Sequence, residues 1–300
     1  MDQFQTPLLR AVQSLRGLAL GDALGRSLVS RGAGGLELGV PPWTYTDDTV
    51  MALSIVEQLG VRGRILEDDL AAAFGRRFLE EPERGYGAVA FWLLSKISAG
   101  GPWRELAAQP FGGAGSRGNG AAMRAAPIGA FFSHDLKAVI EQAAASARVT
   151  HAHPDGQAGA IAVAVATAIA STPEPPTPRT FLEMIFDQTS VGPTRQGIAR
   201  AILLLDVEPA EAARALGTGV DVLSSDTVPF ALWVVAQHYR DFSAAMTCAL
   251  SAVPSAESDM DTLGAIVGGI VAMSASPSTI PETWRASCEA LPLDCINKNN

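Results

Sequence analysis

The chain has 300 residues, 48% hydrophobic, 18% charged and only 6% aromatic, enough apolar material for one large core or two small ones and too much for extensive disorder. Its alanine-rich texture, poor in strand-length runs of β-branched residues, argues against a sandwich or barrel and predicts helix packed on helix. A net charge of −9 lacks the basic footprint that duplex nucleic acid requires.

The first helix is predicted from Thr6-Pro7, a capping residue followed by proline in the first turn, through LLRAVQSLRGLALGDALG. The density of Gly and Pro in residues 31–43, RGAGGLELGVPPW, predicts a loop. That loop delivers the chain to Thr46-Asp47-Asp48-Thr49. In the following VMALSIVEQLG, residues Val50, Met51, Leu53, Val56 and Leu59 fall largely on one helical face and Gly60 stops it, so the acidic pair sits at a helix N-terminus. Further helices are predicted near 66–79, 87–98, 136–149, 156–171, 179–188, 194–205, 210–216, 227–238, 243–252 and 262–274. WRELAAQPF reads as helical and then broken by proline.

The Pro-rich stretch 171–178 reads as a surface connection rather than a linker, because similar acidic motifs lie on both sides of it. Residues 1–296 are therefore expected to form a single domain, with 297–300 as a tail, and no repeat of fixed period is visible. The longest apolar stretch, 158–170, is shorter than the about 18–20 residues a bilayer requires, so no membrane partner is expected. The N-terminal segment lacks the basic-then-apolar order of an export signal. Cys248, Cys288 and Cys295 are odd in number and lack metal-type spacing, which suits a reducing cytoplasm. A monomer is expected.

Two clusters could carry chemistry, Thr46-Asp47-Asp48 and Asp259-Met260-Asp261-Thr262, each just ahead of a helical stretch. Carboxylate and hydroxyl oxygens without nearby Cys suit Mg²⁺ or Mn²⁺. The same residue types are also the preferred N-caps. Doubled carboxylates exceed what one cap uses, and uncompensated they repel. The loop 113–118 fits G-x-G-x-x-G but lacks the preceding strand of a dinucleotide fold. Its glycines, with Ser116, Arg117 and Asn119, can present N–H groups and polar side chains to a phosphate-bearing ligand, or form a flexible surface loop. His151 and His153 stand either as a metal-binding pair or within a helix-to-helix turn with polar caps. No G-x-S-x-G elbow or local cysteine-nucleophile signature is present.

Six stretches in order, RGLALGDALG (16–25), TDDT (46–49), RGYG (84–87), GSRGNGAAMRAAPIG (115–129), TH (150–151) and DMDT followed by GAIVGGI (259–270), resemble the ADP-ribosylglycohydrolases over about residues 15–273. The resemblance implies a compact, all-α, orthogonal array of helices with a binuclear Mg²⁺ or Mn²⁺ centre in a cleft. It implies that Thr46, Asp47, Asp48, Asp259, Asp261 and Thr262 hold the metals; on physical grounds, Asp47 or Asp261 is the carboxylate expected to take a proton from water. Gly115, Ser116, Gly118 and Asn119 would contact the ribose and diphosphate, with His151 lining the same cleft. Phe111 would stack on adenine, and Arg117, where some relatives have an aromatic, would stack there too or meet a phosphate. The implied reaction is hydrolysis of the N- or O-glycosidic bond between ADP-ribose and a protein or small-molecule acceptor. Some family members carry a Glu shortly after GDALG, but Arg26-Ser27-Leu28-Val29 stands here, which leaves the proton donor open. The alternatives are a non-catalytic ADP-ribose binder and a hydrolase of a related ribosylated metabolite.

Overall fold

A computed structural model describes residues 6–32, 35–174, 176–252 and 258–293; Cys295 and the expected tail 297–300 lie outside them. Helix α1 (Pro7–Arg26) leads into an antiparallel hairpin, β1 (Leu28–Gly32) and β2 (Gly35–Leu38). Helices α2 (Asp47–Arg62), α3 (Glu67–Glu80), α4 (Ala88–Ser98) and α5 (Trp103–Ala108) follow, then a single turn, α6 (Pro110–Gly113). A central group comprises α7 (Ala126–Phe131), α8 (Leu136–Arg148) and α9 (Pro154–Ala170). Next come α10 (Pro178–Gln188), α11 (Pro193–Leu203), α12 (Pro209–Leu216) and α13 (Ser224–Gln237). The order ends with α14 (Phe242–Ser251), α15 (Met260–Val271) and α16 (Glu282–Ser287).

Local chemistry explains several helix starts, with side-chain caps at α1, α8, α9, α10 and α14. Thr6 caps α1 by accepting from Leu9 N at 3.3 Å, with Pro7 in the first turn. His153 begins α9, its Nδ1 accepting from Asp155 N at 3.0 Å, so it belongs to the turn of polar caps rather than to a metal-binding pair. Helix α9 is buried almost throughout, from Ala158 to Ala170; a helix apolar all round belongs in the core. Its alanines admit close neighbours, and a Cβ on Gly129 of α7 would stand 1.9 Å from the Ala164 carbonyl oxygen. Helix α10 packs back on α9, so 171–177 connects two contacting helices. None of the described helices is long and apolar enough to cross a membrane.

Two expectations need correction. The predicted loop 31–43 begins inside the hairpin, which pairs Arg31 with Leu36 and Leu28 with Leu38. Glycine density masked the alternation Leu36-Glu37-Leu38, whose leucines pack, with Leu28, against the core. Helix α7 was not predicted, because six residues containing Pro and Gly, APIGAF, are too short to show a helical period.

Candidate functional site

The site is built where α1 and α15 meet. Glycines recur every fourth residue on both helices, and their backbones touch. A Cβ on Gly17 would lie 2.4 Å from the Gly268 oxygen, one on Gly21 2.0 Å from the Gly264 oxygen, and one on Gly25 2.1 Å from the Met260 oxygen. No side chain fits at these three glycines. Ser14 Oγ donates to the Gly269 carbonyl at 2.8 Å within it. The seam lays the end of α1, carrying Asp22, beside the start of α15, carrying Asp259, Asp261 and Thr262.

Asp22 organises the third element, the start of α2. Fully buried, its carboxylate accepts from Thr46 N at 3.0 Å and from Thr49 N at 3.2 Å. It also accepts from Thr49 Oγ1 at 2.6 Å. Thr46 Oγ1 lies 2.9 Å from Asp22 Oδ1 and 3.0 Å from Asp48 Oδ2, with one proton between them. From outside, the Arg84 carbonyl accepts from Asp47 N at 2.8 Å. Arg84 in turn lies over the Tyr45 ring at 4.4 Å, pairs with Glu81, and donates to Glu289 at 2.5 Å.

The two acidic clusters therefore converge, and their electrostatics record it. Burial, then the charges of Asp261 and Asp259, push the Asp47 carboxyl up to about 7. Burial and the charges of Asp22, Asp261, Asp47 and Asp259 hold Asp48 well above the usual carboxylate range. Asp22 and Asp259 are pushed up to about 7, again chiefly by burial. Neither Thr46 nor Asp259, each in the cap position, makes a side-chain cap bond. Capping thus does not account for these residues.

The donor set fits a hard divalent cation. Asp48 Oδ1 is buried without a hydrogen-bond partner, an expensive arrangement for a carboxylate oxygen unless positive charge meets it. The other oxygens are carboxylate and threonine hydroxyl, the chemistry that Mg²⁺ and Mn²⁺ accept. Among the described residues no three His, Cys, Asp or Glu side chains stand close enough to hold an ion as they are placed.

The Gly-rich loop is tied directly to this acidic end. Asn119 Nδ2 donates to Asp259 Oδ2 at 2.7 Å and to Thr227 Oγ1 at 3.0 Å. Asn119 N donates to the Val222 carbonyl at 3.1 Å, Ser224 N to the Arg117 carbonyl at 3.0 Å, and Ser224 Oγ to the Gly118 carbonyl at 2.9 Å. Val222 holds that position at φ 55, a left-handed conformation costly for a β-branched residue. Gly115 and Ser116 are buried against the 151–156 turn: a Cβ on Gly115 would lie 2.7 Å from His153 N, and one on Gly156 2.6 Å from the Ser116 carbonyl oxygen. Within the loop, Ser116 Oγ accepts from Gly118 N at 3.1 Å.

The remaining expected residues divide by exposure. His151 is buried beside Gly118 and Gly120. Arg117 is exposed, and its guanidinium has no partner among the described residues. Phe111 is 67% exposed and left-handed at φ 57, on the edge of a cavity of about 400 Å³ shared with Trp92, Val89 and Pro110. A second cavity of about 400 Å³ opens beside Thr46, between Tyr45, Arg26, Glu83 and Arg84. Sequence reasoning gave no role to Asp22, Arg84 or Arg124. Two of these left a signal, a carboxylate in an otherwise apolar stretch of α1 and an arginine alone in the apolar run AAMRAA.

Residues 5–298 match the family model described as ADP-ribosylglycohydrolase. Among curated proteins, the chain is 29% identical over 280 residues to ADP-ribosylhydrolase ARH3 of Gallus gallus, covering 82% of this chain and 74% of the relative. It is 30% identical over 179 residues to the ADP-ribosyl-[dinitrogen reductase] glycohydrolase of Rhodospirillum rubrum, covering 51% and 54%. A solved structure described as an ADP-ribosylglycohydrolase-related protein complex superposes with a TM-score of 0.62 at 23% identity, covering 98% of this chain and 95% of that one. That likeness bears on the fold alone.

Proposed function

Because this chain belongs to the ADP-ribosylglycohydrolase family, we propose that it hydrolyses the N- or O-glycosidic bond between ADP-ribose and a protein or small-molecule acceptor, with two Mg²⁺ or Mn²⁺ ions. The observation that carries this reading is the Asn119–Asp259 hydrogen bond, which joins the acidic cluster to the loop suited to a diphosphate. Thr46, Asp47, Asp48, Asp259, Asp261 and Thr262 are the residues that would hold the ions. When bound, the ions supply Lewis acidity and positive charge towards the ribose hydroxyls and water.

The chain's own residues account for the remaining work. Gly115, Ser116, Gly118 and Asn119 line the ribose and diphosphate, their small side chains letting the ligand approach the backbone, while the N–H groups of Gly115, Gly118 and Asn119 hold the loop itself by donating to Pro110, Ser116 and Val222. Phe111 offers an exposed ring face for adenine, and Arg117 a guanidinium for the ring or a phosphate. Asp47 or Asp261 takes a proton from water as the glycosidic bond breaks, and the surrounding carboxylates favour a cation-like ribose. Water adds its hydroxyl to the anomeric carbon, the acceptor leaves with a proton, and free ADP-ribose is released. Asp22 acts through Thr46 and Thr49 as a positioning residue.

The test is release of free ADP-ribose from an Arg-linked and a Ser-linked ADP-ribosylated peptide, each with Mg²⁺ and with chelator. Metal-dependent release from one of them is expected and names the acceptor class. ADP-ribose that binds without release from either peptide would rule out hydrolysis of both linkages.

A further inference from the structure

The turn that carries His151 is anchored by a buried guanidinium. Arg124 is 1% exposed and lies over the Phe74 ring at 4.7 Å. Its Nη1 donates to the Gly120 carbonyl at 2.8 Å, and its Nη2 to the Ser146 carbonyl at 3.0 Å and to Thr150 Oγ1 at 2.8 Å. A guanidinium has only donors, so Thr150 Oγ1 accepts in the last of these. That oxygen also lies 2.7 Å from His151 Nδ1 and has no third partner among the described residues.

A hydroxyl has one proton, and a buried proton that finds no acceptor is costly. Thr150 has only Nδ1 to give it to. Nδ1 must then present a lone pair, and the ring proton resides on Nε2. Burial, then the Arg124 charge, push the His151 pKa down to about 3, so the ring is neutral near neutral pH and its tautomer is the open variable. Nε2 has no hydrogen-bond partner among the described residues and faces two glycines. A Cβ at Gly118 would stand 3.3 Å from Nε2, and one at Gly120 3.2 Å from Cε1.

We propose that Arg124 and Thr150 are positioning residues that fix His151 as its neutral Nε2–H tautomer, a hydrogen-bond donor aimed at an oxygen of bound ADP-ribose. The opposite tautomer would turn a bare lone pair towards an oxygen-rich ligand and leave the Thr150 proton unused. Arg124 also holds the Gly120 carbonyl, so one buried cation sets both the donor and the end of the loop facing it. The ligand half of the proposal rests on the ADP-ribose reading above; the tautomer does not.

The experiment is ¹⁵N NMR of the imidazoles at neutral pH in the full chain, followed by titration with ADP-ribose. In the wild type, His151 is expected to show a protonated Nε2 and a lone-pair Nδ1. Thr150→Val should lose that preference and bind ADP-ribose about tenfold more weakly, while Thr150→Ser, which keeps the hydroxyl, restores both. A wild-type His151 protonated at Nδ1 overturns the proposal, and so does a folded T150V that binds as tightly as wild type. A wild-type Nε2–H tautomer in a protein that does not bind ADP-ribose overturns the functional reading and upholds the fixed tautomer.

Discussion

Asp241 and Asp259 each stand immediately before a helix, α14 and α15. Asp241 is exposed and accepts from Ala244 N at 2.9 Å, and Asp135 does the same for Ala138 N at the start of α8. Asp259 makes no cap bond; it accepts from Asn119 and is pushed up to about 7 by burial and by Asp261. The start of α2 belongs with Asp259, since Asp47 and Asp48 are buried and Thr46 caps nothing. An acid that gives its oxygens to backbone N–H groups serves the helix it precedes. One that is buried among other acids serves no helix and costs stability, a cost that a raised pKa or a bound cation offsets.

The contrast can be broken most severely at Asp261. Asp261→Ala should lower turnover by about 10³-fold or more and abolish the thermal shift produced by Mg²⁺ or Mn²⁺, with helical circular dichroism retained. Unchanged activity would end the metal mechanism. Next in size is Gly21→Ala, which forces a methyl to within 2.0 Å of the Gly264 oxygen. It should cost about 3 kcal/mol in denaturant unfolding, and a wild-type midpoint would show that the seam yields. Arg117→Ala should weaken ADP-ribose binding about tenfold in calorimetry while metal binding persists; equal affinity removes Arg117 from the nucleotide site. The smallest effect sharpens the comparison from its other side. Asp241→Ala should lose about 1 kcal/mol of stability and no turnover, so a fall in kcat there would erase the distinction between the two kinds of helix start.

Most helices were legible because their apolar spacing is strong, and predicted and observed bounds for α8 and α10 differ by a residue or so. The hairpin was not, since Gly32 and Gly35 read as punctuation while the informative Leu36-Glu37-Leu38 alternation is only three residues long. The two acidic clusters were visible as doubled carboxylates and the resemblance joined them in one site, but the packing that brings them together was not legible, because it depends on contacts between α1 and α15. The four-residue glycine spacing at Gly17, Gly21 and Gly25, repeated at Gly264 and Gly268, was the sign of that contact. Asp22 was hidden by its place inside a stretch read as a helix from its cap and apolar spacing, with its partners Thr46 and Thr49 more than twenty residues away. Arg124 was hidden because its partners, Gly120, Ser146 and Thr150, come together only in the folded chain.

The seam between α1 and α15 also sets when the site can come into being. Ser14 and Gly269 meet across 255 residues, and Arg84 meets Glu289 across 205. During synthesis at about 5–20 residues per second, α1 waits many seconds for the helix that covers its glycines. Throughout that interval Asp22 has no Asp261 beside it and Asn119 has no Asp259. A nascent chain stopped before α15 can hold folded helices, yet it has only half of the acidic cluster, so any activity that needs both halves waits until α15 has been made.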